Sequence, residues 1–171
     1  MPKSVYTLIM IIITTLVLVA CDQLDTVGSS GSTACLGECG VVVNVVDGDT
    51  IDVLINGVEQ RVRYVGINTP ERDEVCYNEA TNANAALVEG QTVRLEVDQS
   101  ETDRFGRLLR YIYVGDTFVN RQLIADGYAE VVLYQPDDEF YEDFLRFETN
   151  AARQGLGCHP TGIFDDGNPE R

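Results

Sequence analysis

Residues 41–55, which read VVVNVVDGDTIDVLI, decide how this chain folds. The stretch begins with an apolar, β-branched run that ends at Asp47-Gly48-Asp49, a sequence typical of a tight turn. Strand-forming residues resume at Thr50 and continue to Ile55 with partial alternation of apolar and polar positions. Two such segments joined by a short turn predict a β-hairpin.

A third strand follows this hairpin. Asn56-Gly57 is a second turn signal and leads into residues 58–67. Here one set of positions (Val58, Gln60, Val62, Tyr64) alternates with a charged set (Glu59, Arg61, Arg63), as a strand with period 2 requires. Residues 77–89 contain no proline and precede Gly90, which predicts a helix that ends at a glycine. The remaining predicted elements are strands at 92–97 and 108–114, a helix at 118–126, a short strand at 128–133 and a helix from 137 or 138 to 154.

This order of elements predicts an α+β fold that is mainly β. Five main strands with a helix between the third and the fourth match the layout of a five-stranded OB-fold barrel, here with about three helices. The chain has 171 residues, of which 44% are hydrophobic, enough for one globular domain. We expect this domain to span residues 40–158, to be followed by a C-terminal tail at 159–171, and to be a monomer.

The charge balance restricts how the protein can bind a polyanion. There are 28 acidic and 12 basic residues, the net charge is −16, and every basic residue except Lys3 is an arginine. Such a surface repels nucleic acids at long range, although salt shortens the repulsion to about 8 Å under physiological conditions. A nucleic-acid substrate would therefore need arginines concentrated at the binding site.

The N-terminal segment predicts export. Residues 8–20 form an apolar run that is too short for a comfortable membrane span, and Leu18-Val19-Ala20-Cys21 resembles the bacterial lipobox. We expect a signal peptide at 1–20, a lipid on Cys21 and a flexible tether at 21–39, with the domain held to a bacterial membrane outside the cytoplasm. An uncleaved N-terminal anchor helix is the alternative.

Export also determines the interpretation of the four remaining cysteines, which are Cys35, Cys39, Cys76 and Cys158. An even number in an oxidising compartment favours disulfides over metal binding. We favour Cys76 with Cys158 and Cys35 with Cys39, and the other two pairings remain open.

Three short blocks contain polar residues suited to phosphate chemistry. They are VDGDT at 46–50, RYVGINTPE at 63–71 and TDRFGR at 102–107. In sequence order and spacing the blocks resemble the signatures of the staphylococcal nuclease (thermonuclease) family, and similarity extends from about residue 41 to 157. Each block alone is an ordinary turn or loop, whereas their joint occurrence predicts a functional site.

The resemblance implies a calcium ion bound by oxygen ligands. It implies that Asp49 contributes a carboxylate and Thr69 a backbone carbonyl, and that Asn68 occupies a ligand position that is aspartate in the type enzyme. An amide oxygen binds calcium but contributes no formal charge, so we expect weaker metal affinity rather than loss of activity. Nearby Asp47 either adds negative field or fixes the turn.

The resemblance also implies how a phosphodiester would be hydrolysed. Glu71 would orient or deprotonate the attacking water, and Arg63 and Arg107 would clamp the phosphate. Arginine suits this role because its planar guanidinium stays charged and binds phosphate oxygens through two donors. The substrate would be DNA, RNA or both.

Two further residues are predicted to bind substrate. Tyr134 lies where the family has tyrosines near the nucleotide, so it either stacks on a base or belongs to the core. Arg104 lies in the third block. We also expect much of the chain's positive charge to lie near the site, with Arg61 and Arg63 on one strand and Arg104, Arg107 and Arg110 around one loop.

Two other functions compete with an enzyme. A nuclease-like barrel that has lost catalysis could bind nucleic acid or protein, but inactive relatives typically lose the arginines or the glutamate, which this chain retains. A lipoprotein with an architectural role in the envelope would suit the acidity, although no motif requires it.

Overall fold

The computed structural model describes residues 35–165 and residue 167. The predicted signal peptide, Cys21 and the predicted tether up to residue 34 lie outside the described residues. The described elements, in chain order, are β1 (Glu38–Val45), β2 (Thr50–Ile55), β3 (Val58–Tyr64), β4 (Ile67–Asn68), α1 (Tyr77–Val88), β5 (Thr92–Glu96), β6 (Leu108–Val114), β7 (Thr117–Phe118), α2 (Val119–Ala125), β8 (Glu130–Val131) and α3 (Tyr141–Gln154). Two short 3₁₀ turns, His159–Thr161 and Ile163–Asp165, follow α3.

Five strands close into a barrel. β1, β2 and β3 form the predicted antiparallel meander, β5 pairs with β1, and β6 pairs with β5. β6 also runs parallel to β3, which joins the two edges of the sheet. The predicted five-stranded OB-type barrel with three helices is therefore confirmed.

The core lies inside the barrel and beneath it. Ile51, Val53 and Val62 are completely buried, as expected for β-branched residues on the inner face of a small barrel. Beneath them the ring of Phe144, on α3, packs 5.5 Å from that of Phe118. At one rim of the barrel the β1–β2 turn meets the end of β3, where the Tyr64 N–H donates to the Asp49 carbonyl at 2.9 Å.

The two disulfides follow the pairing favoured from the sequence. Cys35 is bonded to Cys39 and Cys76 to Cys158. The first closes a small loop that begins before β1 and ends at Cys39 within β1. The second joins the residue before α1 to a segment that follows α3.

Three predicted elements were wrong in extent. The strand predicted at 58–67 ends at Tyr64, and Ile67 belongs to the separate strand β4. The helix predicted from 137 or 138 begins only at Tyr141. The Asp137 carboxylate accepts the backbone N–H groups of Gln99 and Ser100 at 2.8 and 2.6 Å. The Asp137 N–H donates to the Tyr134 carbonyl. These bonds hold the chain in a turn instead of a helix. The strand predicted at 128–133 is reduced to β8, which pairs with β4.

No helix in the described part of the chain is both long enough and apolar enough to cross a membrane.

Candidate active site

The turn between β1 and β2 places Asp49 at the barrel rim. Asp49 is 5% exposed, and its Oδ2 accepts hydrogen bonds from the backbone N–H of Thr69 at 2.9 Å and from the Thr69 hydroxyl at 3.1 Å. The turn requires glycine at position 48, because a Cβ there would lie 2.7 Å from the Thr69 side chain. The first two blocks of the sequence are therefore joined directly by Asp49 and Thr69.

Arg63, at the end of β3, is held by the same group of residues. Its Nη1 donates to the carbonyls of Tyr64 and Ile67 at 2.6 and 2.7 Å, its Nη2 donates to Asn68 Oδ1, and its Nε lies 3.1 Å from Asp49 Oδ1. These contacts use four of the five N–H donors of a guanidinium. One N–H donor of Arg63 is therefore left without a protein partner among the described residues, and its contact with a phosphate stays a prediction.

Carboxylates crowd the inner end of this site. Burial, followed by the negative charge of Asp49, raises the pKa of Asp47 from 3.8 to about 6. Burial also raises the pKa of Glu71, and the charge of Asp47 adds to that effect. Removal from solvent is thus the main cause of both raised pKa values, and the repulsion between neighbouring carboxylates adds to it.

Arg107 is positioned by Asp103, a residue that the sequence interpretation did not assign. Asp103 Oδ2 accepts from Arg107 Nε at 2.6 Å, and Oδ1 accepts the backbone N–H groups of Phe105 and Arg107 at 2.9 and 3.0 Å. Burial alone would raise the pKa of Asp103, but these hydrogen bonds lower it below its ordinary value. An aspartate that caps a glycine-containing loop was the available sequence signal.

Both Nη groups of Arg107 are available to a ligand. Among the described residues Arg107 has one ion pair, to Asp103, and its side chain is 29% exposed. Phe105 beside it is 68% exposed, with the guanidinium carbons of Arg104 and Arg107 at 4.8 and 5.4 Å from the ring centroid. Arg107 therefore has more unused donors than Arg63, an arrangement that permits a bidentate contact with an anion.

All these groups meet in one cleft of about 560 Å³. Seven of the eight residues predicted for metal, catalysis or substrate line it; Thr69 does not, and instead holds Asp49 in place. The half-buried Tyr134 lines the cleft and also packs against the core, and its stacking on a base stays a prediction. The lining residues are Asp47, Asp49, Thr50, Arg63, Asn68, Glu71, Asp103, Arg104, Phe105, Arg107, Val132 and Tyr134.

Two arginines expected near the site lie elsewhere. Arg61 pairs with Asp52 at 2.8 Å, and the buried Arg110 pairs with Glu38 and Glu101, both at 2.7 Å. Neither lines the cleft. That expectation was wrong because both guanidiniums neutralise carboxylates of the barrel wall.

Comparison with known proteins identifies the class of enzyme. A family model described as staphylococcal nuclease homologue matches residues 61–158. The thermonuclease of Staphylococcus intermedius is 36% identical over 115 residues, covering 64% of this chain and 68% of that protein. Endonuclease YncB of Bacillus subtilis is 37% identical over 119 residues, covering 65% of this chain and 56% of that protein. The micrococcal nuclease of Shigella flexneri is 36% identical over 130 residues, covering 69% and 71%.

The fold, the cleft and these relatives define a nuclease, an enzyme that hydrolyses phosphodiester bonds. The chain belongs to the staphylococcal nuclease family.

Proposed function

We propose that this protein is a calcium-dependent nuclease that cleaves DNA, RNA or both outside the cytoplasm. One observation carries the proposal. A single cleft brings the buried oxygen atoms of Asp49 and Asn68 together with Glu71 and Arg107. Oxygen ligands, a carboxylate able to accept a proton and a guanidinium able to bind phosphate are the groups that metal-assisted phosphodiester hydrolysis needs.

The donor set fits a calcium ion. The site offers hard oxygen atoms from a carboxylate, an amide and the backbone, which calcium prefers. Asp47 lies close enough to Asp49 for the charge of Asp49, after burial, to raise the pKa of Asp47, and a bound cation would stabilise the ionised form of both carboxylates. Asp49, Asn68 and the Thr69 carbonyl would hold the ion, which when bound would neutralise charge on the phosphoryl oxygens.

The chain's own residues would carry out the remaining steps. The Glu71 side chain as a whole is exposed, but partial desolvation of its carboxyl group, and then the charge of Asp47, raise its pKa. A raised pKa suits a base that takes a proton from water. Arg107 would donate to two phosphate oxygens, and Arg63 would add one donor from the buried side. Proton removal and phosphate binding thus fall to different residues of one cleft.

The proposed location rests on the sequence and on the disulfides. The Leu18 to Cys21 motif supports lipid attachment at Cys21, and two disulfides suit an oxidising compartment. Fractionation of expressing bacteria tests this. We expect the wild type in the membrane fraction and Cys21→Ser in the soluble fraction; a membrane-bound Cys21→Ser variant would contradict lipid attachment at that residue.

A cleavage assay tests the activity. The purified full chain would be incubated with single-stranded and double-stranded DNA and RNA, with calcium or with a chelator, beside Arg107→Ala. We expect cleavage by the wild type with calcium, no cleavage with chelator, and a large loss in the variant. Nucleic-acid binding without cleavage by the wild type would instead support a binding module.

A further inference from the structure

The side chain of Asn84, on α1, lies beneath the turn that carries Asp49. Asn84 is completely buried. Its Nδ2 donates to the backbone carbonyl of Asp47 at 2.9 Å, and its Oδ1 accepts from the Tyr64 hydroxyl at 2.9 Å. A carbonyl can only accept, so the amide nitrogen must face Asp47 and the orientation of the side chain is fixed.

Both partners of Asn84 belong to segments that build the cleft. The Asp47 carboxylate accepts the backbone N–H of Asp49 at 3.1 Å, so Asp47 fixes the position of Asp49 along the turn. The Tyr64 N–H donates to the Asp49 carbonyl at 2.9 Å, and the Tyr64 carbonyl accepts from Arg63 at 2.6 Å. One buried amide therefore links α1 to the turn on one side and to the end of β3 on the other.

We propose that Asn84 is a positioning residue for the calcium site. By holding the Asp47 carbonyl it sets the position of the Asp47-Gly48-Asp49 turn against β3 and β4, where Asp49 and Asn68 lie within one cleft. The inference rests on the proposed calcium dependence and adds a residue outside the three signature blocks. Residues that orient the ligands of a metal in this way typically change its affinity when they are replaced.

Two substitutions distinguish a positioning role of Asn84 from a contribution of its packing to stability. Replacing Tyr64 by phenylalanine removes the hydroxyl that donates to Asn84 but leaves the bond from Asn84 to Asp47. Replacing Asn84 by aspartate does the reverse at a pH where the new carboxyl group is ionised, since a carboxylate still accepts from Tyr64 but cannot donate to a carbonyl. Thr81, one turn earlier on α1, has a buried hydroxyl without a hydrogen-bond partner and supplies a matched control.

The test compares four variants of the full chain: Asn84→Ala, Asn84→Asp, Tyr64→Phe and Thr81→Val. Calcium affinity would be measured by calorimetry, unfolding by denaturant titration, and cleavage rate as a function of calcium concentration. We expect both Asn84 variants to bind calcium about 10-fold to 100-fold more weakly, with cleavage largely recovered at saturating calcium. Tyr64→Phe should unfold at lower denaturant yet bind calcium as the wild type does, and Thr81→Val should change neither.

Wild-type calcium affinity in a folded Asn84 variant would overturn the proposal, and so would an equal loss of affinity in Tyr64→Phe. If Asn84→Ala does not fold, Asn84→Asp, which keeps the shape of the side chain, decides the question. A wild-type chain that neither binds calcium nor cleaves nucleic acid would refute the proposed function instead. The two failures are therefore distinguishable.

Discussion

The cleft has two halves that differ in burial and in how their side chains are hydrogen-bonded. The inner half is formed by Asp49, Arg63 and Asn68 at strand ends, with Thr69 behind them holding Asp49 in place, and none of the four is more than 7% exposed. The outer half is formed by loops and comprises Glu71, Arg104, Phe105 and Arg107. Inner residues bond mainly to one another, whereas outer residues keep polar groups facing solvent.

This difference indicates that the inner half contributes to both stability and function, whereas the outer half contributes mainly to function. In the inner half, side chains that would bind the metal also satisfy backbone groups, so replacement should reduce both stability and function. In the outer half, little of the fold depends on the side chains, so replacement should reduce function alone. The predictions below test this division.

Glu71→Gln should give the largest loss of activity. Removal of the proton acceptor should lower kcat by about 10²-fold to 10⁴-fold, the range typical of general-base catalysis. Because Glu71 is exposed, the free energy of unfolding should change by less than about 0.5 kcal/mol. Steady-state kinetics and denaturant titration measure the two quantities, and a strongly destabilised variant would break the proposed division.

Arg63→Lys should damage both properties. An ammonium group cannot reach all four acceptors that surround Arg63, and the loss of a buried pair of this kind costs about 3 kcal/mol or more. The matched control is Arg104→Lys, the same replacement at an exposed arginine of the cleft. If both variants had equal stability in denaturant titration, the inner half would not be structural.

Asp103→Asn should have an intermediate effect. Asparagine can still accept the backbone N–H groups of Phe105 and Arg107, but it removes the charge that holds Arg107 Nε. We expect kcat/KM to fall by about tenfold, equivalent to about 1.4 kcal/mol of transition-state stabilisation. Asp52→Asn, which breaks the Asp52 pair with Arg61 on the barrel wall, should leave kcat/KM unchanged.

Glu148→Gln should have the smallest effect and lies outside the cleft. Burial raises the pKa of Glu148, so its protonated form stabilises the fold below the unfolded pKa of about 4.5, and that stabilisation is lost as pH rises through the folded pKa. Glutamine keeps the acceptor for the Val131 N–H. At pH 7 the variant should be more stable by about 0.5 kcal/mol.

Denaturant titrations at pH 7 and pH 4 measure this difference, which should shrink at the lower pH. Glu59→Gln removes the same charge from an exposed position on β3 and controls for the net charge of the protein. An equal gain in both variants would show that net charge, not burial, is responsible.

The barrel and most of the cleft could be predicted because their signals are local. Asp47-Gly48-Asp49 is both a turn and a part of the site, and residues 58–64 alternate as a strand should. Arg61 was misplaced because it lies directly opposite Asp52 in the β2–β3 hairpin and pairs with it. Arg110 was misplaced because its partner Glu38 is far away in sequence and only the folded barrel brings the two together.

Other contributions were hidden for a similar reason. Val132 reaches the cleft through β8, a strand of two residues that pairs with β4 and has no recognisable periodicity. Asn84 lies on a helix that is separated in sequence from the turn it supports. Long-range pairings of this kind are decided by packing rather than by local pattern.

A calcium titration tests the central claim, that the inner half holds the metal, most directly. Calorimetry would compare the wild type with Asp49→Asn, Asn68→Asp and Asp103→Asn. We predict that Asp49→Asn loses calcium binding, that Asn68→Asp binds more tightly because it adds a charged ligand, and that Asp103→Asn binds as the wild type does. Undiminished binding by Asp49→Asn, or unchanged affinity in Asn68→Asp, would contradict the account.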